Sequence, residues 1–179
     1  MLKVRLAVPG EEKSISEQAF RYIDVVPPYI LSHYAVRAYL DRWLVVIDMS
    51  LNSNPIVGSC HYAPLDVGDK ELERNLAYLR YVRQVPPIPL SKALDRKATF
   101  LGQFACPGKG SLRAVIEYLK EDNPNIFSWL SINSPLITYY EQQMDFWFDP
   151  EPIKFMNVSK GDHSEFRWGY WNRGGDHKK

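Results

Sequence analysis

The sequence predicts an α/β (α+β) domain, with a central sheet flanked by helices, from three observations. Segments with the periodicity of strands and of helices alternate along most of the chain. The stretch from Thr99 to Asp145 has the order strand, glycine-containing turn, helix, strand, helix. The 179 residues, 45% of them hydrophobic, suffice for one sizeable core and do not call for a second. We therefore expect one domain over residues 1–173 and a disordered tail over residues 174–179.

Composition and charge argue against several classes of protein. The 22 basic and 21 acidic residues leave a net charge of +1, which does not support a nucleic-acid-binding surface. No apolar run approaches the roughly 18 to 20 residues that cross a bilayer, and the N-terminus lacks the apolar region of a signal peptide, so we expect a cytoplasmic protein. The four histidines show no ligand spacing, so we expect no metal site. Cys60 and Cys106 are expected to be reduced and buried.

The N-terminal third of the chain predicts two helices and a hairpin. Alternating apolar residues predict a strand over residues 2–6, and Pro9-Gly10 precedes a helix that reaches about Tyr22. Tyr29–Asp41 has the spacing of a second helix. Trp43–Met49 and Ile56–Ala63 are separated by turn residues, so these two strands should pair as an antiparallel hairpin.

Residues 64–97 form a predicted insertion before the fourth strand. Leu72, Leu76 and Leu79 fall on one face of a helix. The proline-rich run Pro86–Pro89 predicts an extended connection of the polyproline type. The insertion is therefore expected to contain a helix followed by an extended segment.

The turn Pro107–Ser111 joins a predicted buried strand, Ala98–Ala105, to a helix that ends at Asp122. The start of a helix carries unpaired N–H groups and a partial positive charge, so such a turn is suited to an anion such as a pyrophosphate. Its glycines allow close backbone approach, and Lys109 adds a positive charge. The motif alone leaves a plain strand-to-helix turn equally open.

The C-terminal part of the chain predicts a fifth strand, another helix and two closing strands. Ile126–Ile132 is the strand, and the helix after it ends near Asp145. The aromatic runs Phe146–Phe148 and Glu165–Trp171 could close the sheet, with an irregular stretch over Asp149–Ser164 between them. Four aromatic residues of these runs either line an acceptor pocket or a homodimer surface, or form the core face of the closing strands: Trp147, Trp168, Tyr170 and Trp171.

The order of these elements resembles the GNAT acyltransferase superfamily. Val4–Ala7 followed by Pro9–Glu12 looks like the first strand and first helix of that fold. Gly108–Ala114 is similar to its pyrophosphate loop and the helix after that loop. Leu130–Asn133 and Tyr139–Phe146 are similar to its last motif of strand, Asn, helix with a Tyr, and a closing aromatic residue. The resemblance covers most of the chain and implies a mixed, mostly antiparallel sheet with a helical insertion before the fourth strand.

This resemblance implies transfer of an acetyl or other acyl group from acyl-CoA to an amine of a small molecule, a peptide or a protein lysine. In such enzymes the fourth strand splays from the fifth, its backbone pairs with the pantetheine arm, and the loop binds the pyrophosphate. The residues that would contact acetyl-CoA here are Phe104, Ala105, Cys106, Gly108, Lys109, Gly110, Ser111 and Asn133. Ala105 stands where the family usually has Arg or Gln. An acyl-carrier-protein-dependent acyltransferase and a non-catalytic GNAT-fold binding or assembly protein are the alternatives.

Two side chains are candidates for proton transfer. Tyr140 follows Asn133 at the distance where the family commonly places a tyrosine that protonates the leaving thiolate. A buried core tyrosine is the alternative. His61, on the third strand, is the candidate general base, and a structural histidine is the alternative.

A narrower similarity is to the toxin-activating lysine acyltransferases of the RTX systems. They share the fold, an insertion before the fourth strand and a strand that ends in Ala-Pro-like residues. Those enzymes use a His near the first helix and an Asp on the fourth strand. Here Glu17–Asp24 contains no His, and Gln103 stands where the Asp would align, so we do not expect the same chemistry.

Overall fold

The computed structural model of the protein describes residues 1–23, 31–53, 55–81, 87–157 and 162–175. Its strands are β1 (Leu2–Leu6), β2 (Trp43–Asp48), β3 (Ile56–Pro64), β4 (Thr99–Ala105), β5 (Asn125–Ser131), β6 (Trp147–Phe148), β7 (Ile153–Asn157) and β8 (Asp162–Asn172). Its α-helices are α1 (Glu12–Tyr22), α2 (His33–Ala38), α3 (Asp69–Tyr81), α4 (Pro87–Asp95), α5 (Ser111–Asp122) and α6 (Leu136–Gln143). A 3₁₀ turn over Leu40–Arg42 leads into β2.

All the strands belong to one sheet with the order β1-β2-β3-β4-β5-β8-β6, and β7 pairs with β8. β4 and β5 are parallel, and the other paired strands are antiparallel. The parallel pair is joined through α5, as a parallel connection requires a crossover. The mixed, mostly antiparallel sheet that the resemblance implied is therefore confirmed.

Helices cover both faces of the sheet. On one face, Ile116 of α5 and Tyr140 of α6 pack in a cluster with Leu101 of β4. On the other face, α1 and α2 pack against β2, and α3 and α4 pack against β3, β5 and β8. Alternate residues of a strand point to opposite faces, so neighbours such as Ile126 and Phe127 belong to different clusters. We call these the α5–α6 face and the α1–α4 face.

The helical insertion before the fourth strand is confirmed, and it consists of α3 and α4. The extended connection predicted for Pro86–Pro89 is wrong from Pro87 onward, because α4 begins there; Pro86 lies outside the described residues. The first turn of a helix does not need the backbone N–H that proline lacks, and the fixed φ of proline suits that turn. The same prolines therefore begin a helix instead of preventing one.

Two other predicted segments differ from the structure. The second helix is shorter than Tyr29–Asp41: α2 ends at Ala38, and residues 24–30 lie outside the described part. The stretch predicted to be irregular, Asp149–Ser164, contains β7, which pairs with β8 from Ile153 opposite Phe166 onward. Residues 176–179 of the predicted tail are outside the described residues. None of the helices within the described ranges is long and apolar enough to cross a membrane.

Candidate active site

β4 and β5 separate soon after they start. Among the described residues they pair only where Thr99 lies opposite Ile126 and Phe100 lies opposite Phe127, although β4 continues to Ala105. Backbone N–H and C=O groups need hydrogen-bond partners, so the rest of this edge of β4 is suited to bind an extended ligand as a further strand would. We call the space between the later residues of the two strands the β4–β5 wedge.

A cavity of about 210 Å³ lies in this wedge. Gly102 and Phe104 line it from β4, and Trp129, Leu130 and Ser131 line it from β5. Leu130 belongs to the cluster on the α5–α6 face, whereas Trp129 packs with residues of the α1–α4 face. The cavity therefore has walls from both faces of the sheet.

Three further elements complete the wall of the cavity. Tyr22 and Ile23 come from the C-terminal end of α1, Ser134 and Leu136 from the start of α6, and Phe166 from β8. The Ser134 hydroxyl accepts a hydrogen bond at 3.3 Å from the backbone N–H of Leu136, the first residue of α6. The cavity is thus the meeting point of elements that are far apart in the chain.

The glycine turn after β4 has the conformation that its sequence requires. Gly110 precedes α5 with a φ of +80°, a left-handed conformation that favours glycine. The Gly108 N–H donates to the Val57 carbonyl at 3.1 Å, and a Cβ on Gly108 would lie 2.9 Å from that oxygen. Lys109, between the two glycines, is exposed. The turn therefore rests on β3 and leaves a lysine in solvent beside the positive end of α5.

Ser111 is fully buried at the first position of α5. Its hydroxyl donates to the Gly108 carbonyl at 2.5 Å, and its backbone N–H bonds to the same oxygen at 3.0 Å. Ser111 thus stabilises the turn from inside. That it also contacts a pyrophosphate stays a prediction.

The other residues predicted to contact acetyl-CoA occupy different environments. Phe104 lines the cavity, whereas Ala105 is buried in the cluster with α1 on the α1–α4 face. The Cys106 thiol donates to the Ser59 carbonyl at 3.8 Å, and burial raises its pKa to about 12. Asn133 is exposed in the turn before α6, and the cavity is lined by its neighbour Ser134 instead.

Tyr140 is enclosed in the core behind Phe104. Its side chain is fully buried, and its ring is stacked on Phe104 with 6.4 Å between the centroids. Its hydroxyl has no hydrogen-bond partner among the described residues. Burial raises the pKa of Tyr140 well above its ordinary value, so the phenol stays protonated at neutral pH. Tyr140 therefore carries a proton at neutral pH, and the same burial makes it a weaker acid than an exposed tyrosine.

His61 lies behind another part of the cavity wall. It is 1% exposed, and it makes edge contacts with Trp43 at 5.4 Å and Tyr78 at 5.6 Å between centroids. A Cβ on Gly102 would overlap the imidazole ring. The imidazole therefore lies directly against the glycine that lines the cavity, and only glycine leaves room for it there.

The structure keeps Tyr140 and His61 on opposite faces of the sheet. Cys60, next to His61 in β3, packs in the same cluster as Tyr140. His61 points the other way and contacts Trp43 and Tyr78, which belong to the α1–α4 face. The cavity thus has one titratable side chain behind each of two walls.

Several cavity residues had not been predicted from the sequence. Gly102 had a local signal, because a glycine inside a strand often marks the close approach of another group. Trp129 and Phe166 contact each other at 4.3 Å between centroids, but nothing local connects them. Within the described residues there is no group of three side chains that could hold a metal ion.

Comparison of the sequence with protein-family models and with curated proteins gave no match. The structure, in contrast, is similar to solved structures along nearly its whole length. Arabidopsis thaliana NAA60 in complex with acetyl-CoA has a TM-score of 0.60 and 10% identity, covering 97% of this chain and 99% of that one. Mutant forms of the spermidine/spermine N-acetyltransferase SpeG from Vibrio cholerae have a TM-score of 0.60 and 11% identity, covering 97% and 94%.

A third structure is an acetyltransferase of the GNAT family from Bacillus cereus. Its TM-score is 0.54 at 15% identity, and the similarity covers 94% of this chain and 96% of that one. At such identities the likeness concerns the fold. The chain therefore has the fold of the GNAT N-acetyltransferases, as its sequence predicted.

Proposed function

We propose that this protein is an N-acyltransferase that moves an acetyl or other acyl group from acyl-CoA to an amine. The observation that carries the proposal is the open wedge between β4 and β5, followed directly by the glycine turn at the start of α5. That NAA60, a protein of the same fold, was solved in complex with acetyl-CoA supports it. The cytoplasmic location and the homodimer surface stay predictions.

The proposed donor fits the wedge and the turn in three respects. The edge of β4 beyond Phe100 offers backbone groups to an extended pantetheine arm. The positive end of α5 and the exposed Lys109 suit a pyrophosphate. The cavity beside Phe104 offers space to the acyl group at the end of the arm.

The reaction needs one proton removed and one supplied. A neutral amine attacks the thioester carbonyl, a C–N bond forms, the C–S bond breaks, and the amine loses a proton while the thiolate gains one. We assign the supply of the proton to the Tyr140 phenol, which keeps its proton at neutral pH and has a hydroxyl without a protein partner among the described residues. We assign its removal to His61, behind Gly102.

A second function is favoured by the burial of both proposed proton-transfer groups. Tyr140 and His61 are at most 1% exposed, so neither side chain forms the surface of the cavity. A protein that binds acyl-CoA without turnover would need neither group at that surface. This candidate is a non-catalytic GNAT-fold binding protein.

Thermal unfolding with and without acyl-CoA tests the proposal. Acetyl-CoA at 100 times its Kd should stabilise the protein by about 2.7 kcal/mol, and pantetheine, which has no pyrophosphate, should stabilise it much less. Release of free thiol in the presence of a panel of amines then measures turnover, with acetyl-CoA and acetyl-acyl carrier protein as alternative donors.

The outcomes of this test separate the candidates. Stabilisation with amine-dependent thiol release supports the enzyme, and stabilisation without release from any amine supports the binding protein. If neither donor stabilises the protein at millimolar concentration, both candidates are wrong.

A further inference from the structure

We infer that the acceptor is a small amine that carries an aromatic ring. The inference rests on the proposed function, because it identifies the second substrate of the same cavity. It follows from the face by which the acceptor enters, the side chains on that face, their lack of charge and the size of the cavity.

The acceptor reaches the cavity from the α1–α4 face. The glycine turn and α5 bind the donor on the other face in the proposed complex, so the arm occupies that side of the wedge. The walls left for the acceptor are Tyr22 and Ile23 of α1, Trp129 and Ser131 of β5, and Phe166 of β8. Trp129 packs with the cluster of the α1–α4 face, and Ser131, two positions later in the strand, points to the same side.

These walls are mainly aromatic. Trp129 and Phe166 meet edge to face, at 63° and 4.3 Å between centroids. Tyr22 lies at the end of α1 with half of its side-chain surface exposed. Aromatic rings favour stacked and edge-to-face contacts with other rings, so this half of the cavity is suited to an aromatic group.

None of the described residues that line the cavity carries a charge. The ammonium groups of a polyamine would meet no carboxylate among the described lining residues, and burial of an ammonium group without a carboxylate partner is costly. An apolar cavity also lowers the pKa of a single bound amine, and so favours the neutral form that attacks the thioester.

The size of the cavity limits the part of the acceptor that it can enclose. An apolar cavity of about 150 Å³ holds one benzene molecule. The 210 Å³ found here is shared with the acyl group in the proposed complex and therefore leaves room for about one ring of the acceptor. 2-Phenylethylamine has one ring and is the probe for the test.

The first experiment compares acceptors at saturating acetyl-CoA by the release of free thiol. 2-Phenylethylamine should have a kcat/KM at least ten-fold higher than spermidine or a short lysine peptide. Equal values, or a preference for spermidine or the peptide, would overturn the inference and leave the proposed function standing. Absence of both thiol release and acetyl-CoA stabilisation would overturn the two together, so the two failures are distinguishable.

The second experiment changes the aromatic wall. Trp129→Ala should raise the KM for 2-phenylethylamine about ten-fold and leave the KM for acetyl-CoA unchanged, whereas Trp129→Phe, which keeps an aromatic wall, should raise it less than three-fold. A melting curve for each variant checks that it folds. An equal rise of KM for 2-phenylethylamine and acetyl-CoA would contradict the assignment of this wall to the acceptor.

The third experiment places a charge in the cavity. Ser131→Asp introduces a carboxylate on the acceptor side, and Ser131→Asn is its uncharged control of the same size. The ratio of kcat/KM for spermidine to that for 2-phenylethylamine should rise at least ten-fold in Ser131→Asp relative to Ser131→Asn. An unchanged ratio of the two kcat/KM values would show that the acceptor does not bind next to Ser131.

Discussion

The two edges of β5 differ in how completely they are paired. On one edge β5 pairs with β8 along its whole length, from Asn125 opposite Asn172 to Ser131 opposite Phe166. On the other edge it pairs with β4 only at its start, within the described residues. The backbone N–H and C=O groups of the first edge form their hydrogen bonds within the sheet. Some of those at the second edge remain available to a ligand. One strand therefore serves both the stability of the sheet and the site.

Side chains maintain this difference. Next to the closed edge, Trp168 stacks on Phe127 at 5.7 Å and on Tyr170 at 5.6 Å between centroids, with nearly parallel rings. At the open edge, β4 has a glycine, Gly102, with His61 against it. Large rings thus fill the space beside β5 and β8, whereas a cavity lies between β4 and β5.

The largest expected effect comes from the buried hydroxyl near the open edge. Tyr140→Phe should lower kcat at least 100-fold if the phenol protonates the leaving thiolate. The free energy of unfolding should stay equal or rise, because the hydroxyl has no partner among the described residues and its burial is costly. Steady-state kinetics and urea unfolding measure the two quantities.

Tyr78→Phe is the matched control for this change. Tyr78 is also buried, and its hydroxyl also has no hydrogen-bond partner in the described part of the chain. It lies on α3, on the α1–α4 face, and Tyr78→Phe keeps the ring that contacts His61. Its replacement should therefore affect stability in the same direction and lower kcat far less than Tyr140→Phe does. A kcat for Tyr140→Phe within three-fold of that of the unaltered protein would show that Tyr140 contributes to the core and not to catalysis.

The next prediction compares two glycines on either side of β5, Gly169 in β8 and Gly102 in β4. In Gly169→Ala, next to the closed edge, the new Cβ would lie 2.7 Å from the Trp147 carbonyl oxygen. A backbone atom cannot move aside cheaply, so we expect a loss of about 3 kcal/mol in the free energy of unfolding. Activity per folded molecule should not change.

Gly102→Ala, at the open edge, should lower activity as well as stability. Its Cβ would overlap the His61 ring, which is enclosed by Trp43 and Tyr78, so the loss of stability should also be about 3 kcal/mol. Activity per folded molecule should fall about ten-fold, because both the cavity and His61 are disturbed. Adding His61→Ala to Gly102→Ala should restore most of the stability. If both glycine variants lost stability and activity in the same proportion, the two edges would not differ in role.

The smallest expected effect concerns the turn beyond the open edge. Lys109 is exposed, so its charge is screened by solvent, and Lys109→Ala should raise the KM for acetyl-CoA only about three-fold. The effect should shrink at high salt. Lys70→Ala, at another exposed lysine in the first turn of α3, is the control and should leave this KM unchanged. An equal effect of the two changes would mean that Lys109 contributes only general charge.

Local signals explain which elements could be predicted from the sequence. The strand, turn and helix around Gly108 and Gly110 were predicted to within a residue or two, because alternation, glycines and an apolar helix stripe all lie within the segment. β7 was missed because a short strand depends on its partner, here β8, more than on its own residues. The start of α4 was missed because prolines both end helices and begin them, and only the packing of the residues after Pro89 decides between the two.

The sequence by itself determined the order of the elements apart from α4 and β7, the glycine turn and, through them, the fold. The tertiary structure alone decided how far β4 and β5 separate, which rings line the cavity and that Tyr140 and His61 lie on opposite faces. The physical reason is that a side chain's surroundings depend on the register between strands and on contacts across the sheet. Tyr22, Trp129 and Phe166 meet only because their three elements pack together, and no local pattern relates them.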